Sequence, residues 1–231
     1  MILIGIDEAG YGPTLGPLVV AAVALAVPDA TAKADLWDIL RDSVARRAGD
    51  RRGRLAITDS KKLHKGVGSL APLERTALAA LTAMQPPCPA TLRQWLGRIC
   101  PYAVDFLDTY PWYRDDDPAL PAETDPRDIA GAANALARDW QAHGLTPIGI
   151  AAEVLPAGHY NRLIDRTHNK AVAEFSLVTR LIHHLTSQAD PRRPVRIVVD
   201  RLGGRDHYGQ PLMTAFEERS LTILEESPDR S

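Results

Sequence analysis

"MILIGIDEAGYGPTLGPLVVAA", residues 1–22, runs an apolar strand into two adjacent carboxylates. Met1 to Ile6 is a short apolar run, the pattern of a buried strand. It ends in Asp7 and Glu8, and the chain then enters a loop holding Gly10, Gly12, Pro13, Gly16 and Pro17. Pro17 to Val27 is a second β-branched run, and a connection this short predicts an antiparallel pair. Far downstream, "PVRIVVD" (194–200) is another apolar strand that ends in acid, Asp200. In open α/β sheets, functional groups gather at the carboxyl ends of strands. If the two acid-ended strands are parallel neighbours, Asp7 and Asp200 come together. Carboxylates crowded at one edge repel each other unless a hard cation sits between them, and Mg²⁺ or Mn²⁺ takes such oxygen ligands. For one strand alone, an acid facing water is the commoner reason for such an ending.

Between these strands the punctuation is mostly helical. Thr31 to Arg47 reads as a helix with Thr31 as N-cap and Gly49 past its end. Arg46 to Arg54 is polar and reads as loop. Leu70 to Met84 is an Ala/Leu-rich helix, and "QPPCPA" (85–90) breaks the chain. "DTYPWYRDDDPALPAETDPRD" (108–128) reads as a long loop or an inserted element. Asp125 as N-cap, Pro126 at the first helical position and Gly144 after the last turn delimit a helix. "PIGIAAEVLP" (147–156) is a strand candidate. Asn169 to Leu185 is an amphipathic helix whose stripe is read as Ala171, Val172, Phe175, Val178, Ile182 and Leu185. "SLTILEES" (220–227) is a further strand candidate. Strands alternating with helices predict an α/β domain, a central sheet covered by helices.

The chain has 231 residues, 45% apolar and 24% charged, enough to bury a sizeable core. Its net charge of −2 gives no whole-molecule pull on an anionic partner, so local charge matters more. Residues 41–65 hold nine Lys/Arg against three Asp/Glu, and residues 105–128 hold eight acids against two Arg. The basic block suits nucleic acid, although a solvated face is the commoner reason for one. Cys88 and Cys100 have neither disulfide-framework nor metal spacing and read as ordinary thiols. The apolar stretch Leu18 to Val27 is too short to span a bilayer, and a cytoplasmic protein is expected. His183 and His184 are adjacent on a predicted helix and make poor joint ligands. His207 lies near Asp200 in sequence. Trp112 with Tyr110 and Tyr113 reads as a small local core rather than a contact patch.

"GIDEAGYGPTLGPLVVAAV" (5–23) resembles the opening of type 2 ribonuclease H (ribonuclease HII), G-I-D-E-A-G-R-G-P-x-x-G-P-L-V. "TDSKKL" (58–63) resembles that family's N-D-S-K-K-L. "HNKAVAEFSLVTRLI" (168–182) is similar to its long helix, with Asn169 and Ala173 on the helix's Asn and second Ala. "VRIVVD" resembles the strand bearing its third acid, usually V-D-G. The motifs come in the family's order and cover roughly 1–65 and 150–208, leaving about 85–148 as an insertion in a single domain. The resemblance implies a ribonuclease H-like fold, an α/β structure with a mixed central sheet flanked by helices. It implies hydrolysis of the RNA strand of RNA–DNA hybrids, or cutting at a ribonucleotide embedded in duplex DNA, with Mg²⁺ or Mn²⁺ and as a monomer.

Carried over by position, Asp7, Glu8 and Asp200 are the implied catalytic metal ligands. Gly10, Tyr11 and Gly12 would approach the ribose 2′-OH. Asp59, Ser60 and Lys61 would bind substrate, with Ser60 and Lys61 on the neighbouring phosphates. Three departures stand out. Tyr11 replaces the family's Arg in the glycine loop. Arg201 follows the third acid in place of Gly. The fourth-acid segment, of the form K-x-D…S-x-x-A-K, has no counterpart before Ser231, where Glu225, Glu226 and Asp229 are the available acids. A truncated product, or a lineage without the segment, is expected, with reduced or absent activity. The alternative function is a relative that binds duplexes without cleaving them.

Overall fold

The computed structural model describes residues 1–9, 16–47, 49–50, 52–64, 69–199, 209–217, 220, 222 and 224. Their order is β1 (Ile2–Ala9), β2 (Leu18–Ala26), a 3₁₀ turn (Asp29–Thr31), α1 (Leu36–Ile39), β3 (Val44–Ala45), β4 (Leu55–Ala56) and α2 (Ser60–Leu63). Then come α3 (Ala71–Met84), α4 (Leu92–Ile99), α5 (Pro101–Leu107), α6 (Pro126–Ala142), β5 (Thr146–Leu155), α7 (Ala157–Thr167), α8 (Lys170–Ser187), β6 (Val195–Val199) and α9 (Gly209–Ala215). Contacts divide the chain into two compact units, one of residues 1–25 with 148–231 and one of residues 26–147.

The first unit is built on a four-stranded sheet of order β5-β2-β1-β6. β1 and β6 pair in parallel, with Ile2 beside Val195 and Ile6 beside Val199. Eight residues separate β1 from its neighbour β2, too few for a parallel crossover, so that pair is antiparallel and the sheet is mixed. Alternate residues on each strand, Ile2, Ile4 and Ile6 on β1 and Val20, Ala22 and Ala24 on β2, form one core with Leu177, Val178, Leu181, Ile182 and Leu185 of α8. The expected α/β class is observed.

α8 starts where its sequence says it should. The Asn169 side chain accepts the Val172 N–H at 3.2 Å, satisfying one orphan donor of the first turn. Its buried stripe differs from the expected one. Val172 is exposed and Phe175 half-buried, whereas Ala173, Glu174, Leu177 and Leu181 are buried with Val178, Ile182 and Leu185. Gly149 of β5 lies close beside the C-terminal end of α8. A Cβ there would lie 3.3 Å from both Leu185 Cδ2 and Gln188 Oε1.

The second unit packs α3 against α6, with Leu78 and Leu81 on one helix and Ile129, Leu136 and Trp140 on the other buried. α6 has the expected punctuation. Asp125 accepts the Arg127 N–H at 2.7 Å, Pro126 is the first helical residue, and Gly144 has φ +67°. The helix expected over Thr31–Arg47 is not formed. Asp35 instead caps the four-residue α1, accepting the Trp37 N–H at 2.9 Å. Val44–Ala45 then pairs in parallel with Leu55–Ala56. Ser43, just before β3, gives both its N–H and its hydroxyl to Asp139 of α6, 96 residues away. Long-range hydrogen bonds and pairing override the local helical pattern here. The expected loop at 108–125 carries neither helix nor named strand, only an isolated bridge from Ala119 to Thr91. The three Glu74 hydrogen bonds from Ala122, Glu123 and Thr124 N–H groups tie that loop to α3. The strand candidate at 220–227 falls largely outside the described residues; Ser220, Thr222 and Leu224 are not in a strand.

Candidate active site

The pleat of β1 separates its two terminal carboxylates. Glu8 follows Ile2, Ile4 and Ile6 on the side covered by α8 and is half-buried, with Oε2 shut off from solvent. Asp7 is on the opposite side and exposed, and its Oδ1 accepts the Glu8 N–H at 2.8 Å.

Glu174 was not singled out in the sequence, yet it heads the buried stripe of α8. It is 0% exposed, and neither carboxylate oxygen has a hydrogen-bond partner among the described residues. Burial, with the nearby Glu8 charge adding to it, pushes its carboxyl up from 4.5 to about 7. The other buried acids are satisfied by protein groups. Glu153 of β5 receives Arg180 in a two-pronged pair, Nε at 3.1 Å and Nη2 at 2.6 Å. Asp139 accepts Ser43 N–H at 3.1 Å and Ser43 Oγ–H at 2.5 Å, with His143 Nδ1 3.1 Å from its other oxygen. That Ser–Asp–His chain is no nucleophile relay, because the carboxylate stands between serine and imidazole and the histidine never meets the hydroxyl.

β6 ends at Val199. Asp200, together with Gly10, Tyr11, Gly12, Arg201, His207, Glu225, Glu226 and Asp229, lies outside the described residues. In the second unit, Asp59 is the N-cap of α2 and accepts the Lys61 N–H at 2.9 Å, while Ser60 and Lys61 are exposed. Part of the basic block is engaged locally. Arg46 pairs with Asp35 and lies 4.8 Å from the Trp37 ring, and Arg54 pairs with Asp50. The Arg54 hydrogen bonds hold the Asp50 carboxyl down at about 2. Tyr110, Trp112 and Tyr113 do form a ring cluster, but Trp112 stays 65% exposed, so the expected local core is only partly closed. His183 stacks on Phe216, with ring centroids 4.6 Å apart.

Among the described residues, no set of three or more His, Cys, Asp and Glu side chains is placed to hold a metal ion. The pair Glu8 and Glu174 nonetheless fits a divalent cation chemically: two carboxylates within electrostatic reach, one with both oxygens buried and unpartnered. A cavity of about 260 Å³ in the same unit is lined by Ile182, Val195, Ile197 and Phe216 and holds none of these acids. No helix among the described residues is long and apolar enough to cross a membrane.

The chain matches the model of the Ribonuclease HII family over residues 4–38, the stretch with Asp7, Glu8 and the glycine loop. A curated protein, Ribonuclease HII of Gluconobacter oxydans (strain 621H), is 31% identical over 98 residues. That alignment covers 42% of this chain and 44% of that protein, so the chain matches less than half the length of its relative. No solved structure matches the chain. The mixed sheet flanked by helices is consistent with a ribonuclease H-like fold. The acid end of the first strand lies in the stretch over which this chain is similar to the ribonuclease HII family.

Proposed function

We propose that the chain is a metal-dependent endonuclease of ribonuclease H type. It would hydrolyse the RNA strand of RNA–DNA hybrids or cut at a ribonucleotide embedded in duplex DNA. The observation that carries this reading is the parallel pairing of β1 with β6. With Ile6 beside Val199, the strand that runs into Asp7 and Glu8 and the strand that runs toward Asp200 finish at one edge of the sheet. The similarity over residues 4–38 supports the same reading.

On this reading Asp7, Glu8 and Asp200 hold Mg²⁺ or Mn²⁺. Bound ions of this kind supply activation of the attacking water and stabilisation of the leaving 3′-oxygen. The chain's own residues position the reactants. The carboxylates fix where charge is held, and no serine or cysteine nucleophile is required. The backbone of Gly10, Tyr11 and Gly12 approaches the ribose 2′-OH, the group that separates RNA from DNA. Asp59 caps α2 and so presents Ser60 and Lys61 to phosphates, contacts that position a duplex without reading its sequence.

The test is cleavage of duplex DNA containing one ribonucleotide, with Mg²⁺ or Mn²⁺. Asp7→Asn is expected to lower the rate by roughly a hundredfold or more while the protein stays folded, because Asp7 is exposed and its loss disturbs no core. Equal cleavage by wild type and Asp7→Asn would sink the assignment. Duplex binding without cleavage would favour a non-cleaving relative instead. Lys61→Ala is expected to weaken duplex binding evenly across sequences and to lower the salt dependence of log K by about 1. An unchanged salt slope in a filter-binding series would remove Lys61 from the interface.

A further inference from the structure

We propose that Glu174 is a ligand of the divalent cation bound beside Glu8, so that α8 contributes a carboxylate to the site at the end of β1. The proposal rests on the reading of Glu8 as a metal ligand. Glu174 lies within the stretch that resembles the family's long helix but is not one of its matched positions, Asn169 and Ala173, and its placement alone draws attention to it.

The three buried acids among the described residues, Asp139, Glu153 and Glu174, are treated differently by the fold. Asp139 receives two donors from Ser43, and Glu153 receives a guanidinium. Glu174 receives neither, and the charge it faces is the carboxylate of Glu8. A buried carboxylate without donors beside another carboxylate is the arrangement that protein groups alone leave unfavourable. A hard divalent cation resolves both faults: it offsets the repulsion and occupies the empty oxygen lone pairs. The backbone under Glu174 is well anchored for this. The Asn169 cap lies one turn and a half before it, and Ala173, Leu177 and Val178 around it are buried in the core. A ligand on a packed helix is held in place better than one on a loop.

The test is Mn²⁺ binding by the full chain without nucleic acid, read from the electron paramagnetic resonance signal of free Mn²⁺. Wild type is expected to bind, and Glu174→Gln to bind at least tenfold more weakly, as Glu8→Gln should. Melting temperature gives a second readout. Mn²⁺ should raise it in wild type and not in Glu174→Gln, which is expected to fold because Gln removes a buried charge and keeps the shape. Glu174→Asp keeps the charge one methylene back and should retain weakened binding, so a folding failure of the Gln variant leaves the test standing. Equal Mn²⁺ affinity in wild type and Glu174→Gln would overturn the proposal, as would no Mn²⁺ binding by wild type. The nuclease reading fails separately. Glu174-dependent Mn²⁺ binding without cleavage would uphold this ligand and discard the nuclease, and cleavage with Glu174-independent Mn²⁺ binding would do the reverse.

Discussion

Glu174→Gln is expected to raise the stability of the metal-free protein at pH 8 by about 3 kcal/mol and to change it little at pH 4. The native carboxyl sits at about 7 against an ordinary value of 4.5, so the folded chain holds this proton more tightly than the unfolded one. The group therefore costs nothing where both states are protonated. Stability is lost as pH rises from 4.5 to 7, and the loss is complete above 7. A shift of this size corresponds to roughly 3 kcal/mol because each pKa unit is worth about 1.4. Gln never ionises, so its curve omits that slope. Burial is the larger cause and Glu8 the smaller, so Glu8→Gln should recover only the lesser part. Urea unfolding in chelator at several pH values reads the effect as the difference between variant and wild type. Parallel profiles from pH 4 to 8 would show that Glu174 is not the buried, repelled acid described above.

The contrast between Asp7 and Glu174 shows what was legible in the sequence and what was not. Asp7 and Glu8 sit at the end of a contiguous apolar run, within a stretch whose neighbours in space are also neighbours in sequence. Local pattern marked them as candidates, and the resemblance of the surrounding stretch supplied the expected role. Glu174 becomes visible only once the correct face of α8 is known. Ala171, Val172 and Phe175 drew the expected stripe off its centre, although Val178, Ile182 and Leu185 are buried as expected. The buried one runs Glu174, Leu177, Val178, Leu181, Ile182, Leu185, a regular i, i+3, i+4, i+7 pattern headed by a charge. A glutamate on such a stripe was the available signal.

The same distinction holds for the fold. β1, β2, β5 and β6 are apolar runs bounded by turns, and α3, α6 and α8 lie where their periodicity and caps put them. The failure at Thr31–Arg47 has a nonlocal cause. Trp37 Nε1–H donates to Ile57 O at 2.8 Å, Leu55 N–H donates to Ser43 O at 2.8 Å, and Ser43 is committed to Asp139. None of these partners lies within a helical turn, so propensity had nothing to register.

Asp139 is accordingly where the second unit should be most sensitive to a single change. Asp139→Ala is expected to cost about 3 kcal/mol, against about 1 for Asp139→Asn. Ser43 is 3% exposed, and its N–H and hydroxyl converge on Asp139 Oδ2. Alanine takes away that charged acceptor in a place water does not reach and leaves the N–H only its 3.1 Å bond to Leu40 O. The hydroxyl keeps only a 3.5 Å contact to Leu40 O. Asparagine can set its carbonyl oxygen where Oδ2 was and retain both bonds, although its amide then faces His143 Nδ1, which lies 2.9 Å from the Asp139 backbone carbonyl and must give up that bond in order to accept. The consequence extends to the proposed substrate contacts within the same unit. Ser43 leads directly into β3, β3 holds β4, and β4 ends three residues before the Asp59 cap, which Ser60 follows. Amide exchange at Leu55 and Ile57, whose N–H groups bond Ser43 O and Ala45 O, should speed up in Asp139→Ala and stay slow in Asp139→Asn. Equal losses in the two variants would mean that the negative charge, rather than the acceptor geometry, holds β3 in place.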